Sequence, residues 1–333
     1  MGRTIATIEK LKLLNNKKEL IAYLVWLQHT KAYDIIIIKH GGSMKKLLNY
    51  LKLIRVKHYV KNILIFIPLF FSGQILNINK VITCILGFIS FSLIASSVYI
   101  INDINDIEKD KVHPEKKYRP LASEAVSKKE AYILLTALLI ITTLINIIML
   151  NNNNYYFILL ELLYLILNIG YSLGLKKIPI LDVVILVSGF VIRVLYGGII
   201  TNIMISNWLY LTIMSGSFCM SFGKRRNELI KQSDKSRDVL KKYNREFLDK
   251  FMNISLILLI TFYSLWCIDS VTILKFGNEI IWTIPILLII LMKYSLDIDN
   301  DSFGDPVEVL FGDKTLIGLT LILIFIMTGM LYL

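Results

Sequence analysis

Cysteine is scarce in this chain. Only Cys84, Cys219 and Cys267 occur in 333 residues, each inside an apolar run and none at metal-ligand spacing. A disulfide framework and a cysteine-based metal site are therefore excluded, and the three thiols read as reduced packing groups. Internal repeats and paired interrupted apolar segments, which build the halves of many transporters, are missing as well. The N-terminus has no continuous apolar core followed by small cleavage residues. No cleavable signal peptide is expected, and the first spans direct insertion themselves.

What is abundant is apolar length. The chain is 55% hydrophobic with a mean hydropathy of +0.62. The excess lies in long runs such as Val81–Ile101, Ala131–Leu150 and Val183–Ile200. A run of about 20 apolar residues crosses the hydrocarbon core as a helix, because only a helix pairs every backbone amide within the segment. The pattern predicts an all-α polytopic membrane protein with about nine transmembrane helices, near 63–76, 81–101, 131–150, 154–172, 180–199, 207–222, 251–268, 279–293 and 314–333.

Net charge is +12. The cations sit in a few loops between apolar runs, so they point to anionic headgroups, anionic substrates and topology rather than to nucleic acid. With the N-terminus in the cytoplasm, the loops 102–130, 172–179, 223–250 and 293–314 hold 21 Lys and Arg, and the opposite loops hold Lys80 and Lys275. That split places the charged loops at the cytoplasmic face of a cell membrane. The charged tract 231–250 is expected to be a cytoplasmic helix.

Residues 1–43 differ from the remainder. Their two short apolar patches, 20–27 and 35–38, cannot span, and Gly41-Gly42-Ser43 precedes Met44. They read either as an interfacial or partner-binding arm or as an appended leader.

The sharpest chemical signal is Asn102-Asp103-Ile104-Asn105-Asp106-Ile107-Glu108-Lys109-Asp110, at the cytoplasmic end of the second span. Asp103, Asp106 and Asp110 stand at i, i+3 and i+7, one face of a helix. Three carboxylates crowded at a membrane edge repel one another unless a cation joins them. Magnesium takes a few carboxylates together with phosphate oxygens and retained waters, so the cluster suits a magnesium-diphosphate site. Lys116 and Arg119 follow closely and can cover the phosphate oxygens that the metal leaves. His113 can donate to a phosphate or cap the loop.

A second element runs Tyr171-Ser172-Leu173-Gly174-Leu175-Lys176-Lys177-Ile178-Pro179-Ile180-Leu181-Asp182. Arg193 lies eleven residues beyond Asp182, close to three turns, on the same face and about 16 Å deeper. Glu161, Tyr164, Asn168 and Tyr171 form a polar stripe on the fourth span, readable as interhelical hydrogen bonding or as substrate contact. Cationic segments at Arg55-Val56-Lys57-His58-Tyr59-Val60-Lys61-Asn62 and Gly223-Lys224-Arg225-Arg226 complete the set, together with Gly304-Asp305-Pro306-Val307-Glu308.

Taken in order, these residues resemble the UbiA prenyltransferase superfamily. The aspartate motif and the Tyr-Ser…Lys…Asp element match its two signature regions, and the resemblance covers Met44 to the end of the chain. Within the superfamily the pattern is most similar to the decaprenyl-phosphate phosphoribosyltransferases. It departs from the aromatic prenyltransferases, which usually carry a second aspartate four residues after the position of Asp182; here Leu186 stands there. The resemblance implies a UbiA-like helical bundle over 44–333, with active-site loops in the cytoplasm. It implies Mg2+-dependent transfer of 5-phosphoribose from phosphoribosyl diphosphate to a polyprenyl phosphate in the membrane. Asp103, Asp106 and Asp110 would hold the metal, with Asp103, Asp106 and Asp182 catalytic. Asn102, Lys57, Lys61, Lys116, Arg119, Tyr171, Lys176, Arg193, Lys224 and Arg225 would bind the substrates. Asp182 would bind a ribose hydroxyl or orient a lysine, and Arg193 would meet the lipid phosphate or pair with an acid. A homo-oligomer is compatible with all of this. The alternatives are a prenyltransferase acting on an aromatic or glycerol-phosphate acceptor, and a non-catalytic lipid-binding or transport protein.

Overall fold

The computed structural model describes residues 41–114, 116–150, 155–231, 238–299, 309 and 312–332. Residues 1–40 and 304–308 lie outside them, so the leader, apart from Gly41–Ser43, and the Gly304–Glu308 motif are not described. In chain order the helices are α1 (Gly41–Leu53), a 3-10 ribbon (Val56–Phe66), α2 (Ile67–Phe71), α3 (Ile78–Asn105), α4 (Ile107–Lys111) and α5 (Lys128–Met149). Then come α6 (Tyr156–Leu173), α7 (Leu181–Thr201), α8 (Asn207–Lys231), α9 (Arg245–Cys267), α10 (Ser270–Phe276), α11 (Thr283–Asp299) and α12 (Lys314–Tyr332). Among the described residues there is no β-strand.

Among the described residues, seven helices are long and apolar enough to cross a bilayer: α3, α5, α6, α7, α9, α12, and α11 with the 3-10 turn before it. The chain is a multi-pass membrane protein. One of the nine expected spans takes another form. The segment 63–76 is not one helix but the end of the 3-10 ribbon followed by five-residue α2, with Pro68 at the helix start and Gly73 at φ +75° just beyond its end. Proline lacks the N–H that would continue the preceding ladder, which favours a fresh start there. The segment 207–222 lies in 25-residue α8, long enough to span but less apolar than the other long helices, with Ser215, Ser217 and Ser221 among its buried residues.

The described residues form two compact units. One takes the chain up to Tyr59 together with Leu93–Ile141; the other takes Val60–Ser92 and the chain from Thr142 onward. In the first, Leu53, Ile100, Ile107, Leu121, Val126 and Leu138 form the core. A capping box opens α5: Ser127 Oγ accepts from Glu130 N at 3.2 Å, and Ser127 N donates to Glu130 Oε2 at 2.9 Å. The other oxygen of Glu130 takes Lys46 at 2.5 Å and Tyr50 at 3.2 Å, which docks α1.

In the second unit α7 is the buried centre. A Cβ at Gly197 would stand 2.0 Å from the carbonyl oxygen of Ile65, so only glycine lets the 3-10 ribbon lie this close to α7. Asn202 ends α7 in the left-handed conformation, its N–H returned to the carbonyls of Gly198 and Ile199. Of the tract 231–250 expected as a cytoplasmic helix, residues 232–237 lie outside the described residues, and the part from 238 leads into a span. Asp238–Lys242 is a 3-10 turn, and Asn244 caps α9 by accepting from Phe247 N at 2.7 Å. Arg226 pairs with Asp249 and, at 2.8 Å, with Asp299, while Lys293 pairs with Asp297 and, at 2.8 Å, with Asp313. Cys84, Cys219 and Cys267 are free and buried.

Candidate active site

The acid motif of the first unit bends where α3 ends. Asp106 leaves the helical conformation (φ −99°, ψ +8°) and starts α4. The ladder nevertheless continues, with Asp110 N donating to Asp106 O at 2.8 Å, so Asp103 and Asp110 keep a common face. That face meets Arg119. Its Nη1 donates to Asp103 Oδ1 at 3.1 Å and to Asp110 Oδ2 at 2.7 Å. Arg55 donates to the same Asp103 oxygen at 2.6 Å and lies 4.4 Å from the centre of the Tyr99 ring. Both carboxylates are buried, and the two arginines compensate them.

Asp106 departs from the expected trio. It is more exposed, and Lys109 stands 3.6 Å from it. Among the described residues no three acid, histidine or cysteine side chains stand close enough to hold a metal as they are. As the structure stands, the three carboxylates form an arginine-bridged pair, Asp103 and Asp110, with Asp106 beside it. The donor chemistry still suits a hard cation. Asp103 Oδ2 and Asp110 Oδ1 take no hydrogen bond from the described residues, and both are oxygen donors of the type magnesium selects.

The loop after the acids is organised by His113, whose Nδ1 accepts from Lys116 N at 3.3 Å; it caps the loop. Lys116 opens the 3-10 turn Lys116–Tyr118, and Lys117 lies over the exposed Tyr118 ring at 5.2 Å. Asn102 lies on the last turn of α3. Lys57 is exposed, and burial of its stem with the nearby charge of Lys52 lowers its pKa. Arg55 was not singled out from sequence; the signal was its place in a cationic run, but its turn to positive φ (+52°) was not legible.

The second unit resolves the Asp182 element into a hydrogen-bonded knot. Asp182 and Arg225 are both fully buried. Arg225 Nε donates to Asp182 Oδ2 at 2.6 Å, Nη1 to Glu228 at 2.6 Å, and Nη2 to the Tyr171 hydroxyl at 2.9 Å. Tyr243 donates to Asp182 Oδ1 at 2.6 Å and accepts from Ile180 N at 2.6 Å. Burial, then the Asp182 bond, push the Tyr243 hydroxyl well above its ordinary pKa. Arg225 and Tyr171 were expected as substrate ligands, and Asp182 as a hydroxyl binder or the partner of a lysine. In the structure they are bonded to one another, with three of the five Arg225 N–H groups engaged on Asp182, Glu228 and Tyr171. Tyr243 was missed because it comes from a different loop.

Arg193 belongs to another network. It donates to Asn62 Oδ1 at 2.7 Å, Gly189 O at 2.5 Å and Tyr164 OH at 3.2 Å, with Phe91 and Tyr164 rings at 5.0 and 4.9 Å. Among the described residues it meets no carboxylate, so the expected acid pairing is not found. Buried Glu161 takes Ser90 at 2.7 Å, Tyr196 at 2.9 Å and Asn146 at 2.6 Å. Of the polar stripe on α6, Glu161, Tyr164 and Tyr171 bond to neighbouring helices, while Asn168 bonds to Tyr164 O of its own helix at 2.8 Å. Lys61, Lys176 and Lys224 lie in the 3-10 ribbon, the Leu175–Lys177 turn and α8, each partly exposed.

An apolar helical bundle with an acid–arginine cluster closing one of its spans defines a polytopic membrane transferase. The chain belongs to the UbiA prenyltransferase family, whose sequence profile matches residues 63–302. It is 30% identical over 293 residues to a decaprenyl-phosphate phosphoribosyltransferase of Mycolicibacterium smegmatis, covering 83% of this chain and 90% of that one. It is 31% identical over 276 residues to the enzyme of the same name from Mycobacterium tuberculosis, covering 80% and 88%. A UbiA homologue from Archaeoglobus fulgidus, solved with DMAPP and Mg2+, superposes with a TM-score of 0.62 at 18% identity, over 85% of this chain and 99% of that one.

Proposed function

We propose that this enzyme transfers 5-phosphoribose from phosphoribosyl diphosphate to a polyprenyl phosphate, with Mg2+, at the cytoplasmic face of a cell membrane. The observation that carries the proposal is the pair Asp103 and Asp110 bridged by Arg119, with Arg55 behind it. Such a cluster offers oxygen donors to a divalent ion and guanidinium forks to phosphate in one place. Support for phosphoribose over a prenyl donor comes from the names of the relatives at about 30% identity and from Leu186 standing where a second aspartate would be.

Asp103, Asp106 and Asp110 would hold the magnesium, which supplies positive charge against the departing diphosphate. The bond from the anomeric carbon to the diphosphate oxygen breaks, and a bond to an oxygen of the lipid phosphate forms. That lipid phosphate is already ionised, so no residue has to remove a proton from it. Arg55, Arg119 and Lys116 stabilise charge as it builds on the leaving group, from positions that need no rearrangement. Lys57, exposed and lowered by its surroundings, gains most from an incoming anion. Within the same unit as the acids, Asn102 is proposed as a further polar contact to phosphate and ribose. Asp182, Arg225 and Tyr171 fix the loop that carries Lys176.

Membranes containing the enzyme, given labelled phosphoribosyl diphosphate and polyprenyl phosphate, should form a lipid-linked ribose phosphate. Prenyl diphosphate with an aromatic or glycerol-phosphate acceptor is the competing pair. Product from that pair alone would overturn the proposal in favour of prenyl transfer.

A further inference from the structure

The second unit contains a cavity that the transfer site does not use. Its volume is about 520 Å3, and it opens among the residues that follow α7 and the start of α10. Asp182 stands at the opposite end of 21-residue α7, about 31 Å away at 1.5 Å per residue. The cavity and the Asp182 knot therefore belong to opposite faces of the membrane, and in the proposed orientation the cavity faces outward.

The back wall is aromatic and rigid. Trp266 packs edge-on against Phe71 at 5.2 Å and against Phe276 at 5.4 Å, and these rings line the cavity. Pre-formed aromatic walls with few polar groups are typical of small-molecule sites. The charged lining side chains are Asp269 and Lys275, one of each sign. They lie six residues apart, about 9 Å along the axis of α10. A single ammonium is too little for a diphosphate, and the carboxylate would repel one. An ammonium joined to a phosphate by an ethanolamine linker answers both charges at once.

The rim identifies the rest of the ligand. Met204 on the rim is 98% exposed, and Leu274, next to Lys275, is 86% exposed. Trp282, in the turn that follows α10, is exposed as well. Apolar side chains this open are stable against acyl chains, and tryptophan favours the headgroup level. We propose that this cavity binds a zwitterionic phospholipid of the phosphatidylethanolamine type, its phosphate on Lys275, its ammonium on Asp269 and its acyl chains over Met204 and Leu274. The site is independent of the transfer reaction.

Native mass spectrometry of the full chain, released from nanodiscs of defined mixtures, tests this. Phosphatidylethanolamine should be retained over phosphatidylglycerol and phosphatidylcholine. Removing one charge-assisted contact should weaken retention about tenfold. Asp269→Asn, which keeps the helix cap, should abolish the preference for phosphatidylethanolamine over phosphatidylglycerol. Lys275→Gln should weaken both phospholipids, while phosphoribosyl transfer stays unchanged in either variant. Equal retention of all lipids, preference for phosphatidylglycerol, or no response to either substitution would overturn the proposal. Soluble phosphoethanolamine competing as well as the lipid would overturn the lipid assignment.

Discussion

Arg225 Nε lies 2.6 Å from Asp182 Oδ2, and neither side chain reaches solvent. Removing one member of such a pair leaves a buried charge uncompensated, at a cost of about 3–5 kcal/mol. Asp182→Asn and Arg225→Met should therefore lower the melting temperature of the detergent-solubilised protein sharply. A phosphate-binding arginine would behave differently, leaving stability unchanged and raising KM for phosphoribosyl diphosphate. That second pattern would refute the positioning role.

Arg119 is expected to matter for chemistry. Arg119→Lys keeps the charge but loses the planar guanidinium whose Nη1 reaches both Asp103 and Asp110. Loss of one preorganised donor costs roughly 100-fold or more in kcat. Asp103→Asn should fall at least as far, and chelation of divalent ions should stop transfer until magnesium is restored. Turnover persisting in chelator would count against the metal.

Tyr243 and Ile180 form a testable latch. Ile180 holds φ +69°, a costly conformation for a β-branched residue, and its N–H is accepted by Tyr243. Tyr243→Phe should destabilise by about 1–3 kcal/mol through the orphaned Asp182 oxygen and Ile180 amide. Ile180→Gly should relieve strain and recover part of that loss in the double variant. Thermal melts of the two single variants and the double variant decide it.

Glu161 depends on shape as well as charge. Glu161→Gln keeps an acceptor oxygen for Ser90 and Tyr196, and a flipped Asn146 amide can accept from the new NH2, so it should be tolerated. Glu161→Leu leaves those buried partners unpaired and should reduce folded yield steeply, as measured by size-exclusion profiles.

Acid sensitivity should have one assignable component. The hydrogen bond from Lys293, then the backbone N–H of Leu316, hold the Asp313 carboxyl down to about 2 from 3.8. A depressed carboxylate pKa contributes stability that is complete above the unfolded value and is lost as pH falls through the folded one. Asp313→Asn should flatten stability between about pH 4 and 2, read by melting temperature against pH.

The sequence carried the spans whose apolar runs were long, and the pairing of Asp103 with Asp110, because a seven-residue interval survives even the bend at Asp106. Arg119 was legible from its closeness to the acids. The long-range partners were not. Tyr243 lies 61 residues from Asp182, and Glu161 draws donors from α3, α5 and α7. No local spacing encodes such meetings. Arg225 looked like a phosphate ligand because composition cannot tell a buried guanidinium from an available one. The expected span 63–76 is instead split between the 3-10 ribbon and α2, where Pro68 starts a new helix. Ser127-Lys128-Lys129-Glu130 was a capping box in plain view.

Where Gly197 meets the carbonyl of Ile65 there is no room for a methyl group, and one turn earlier on α7 Arg193 grips Asn62 of the same ribbon. Two fasteners a turn apart leave ribbon and helix no freedom to slide. If a long isoprenoid must wedge this unit open on its way in, the gap has to appear along some other seam.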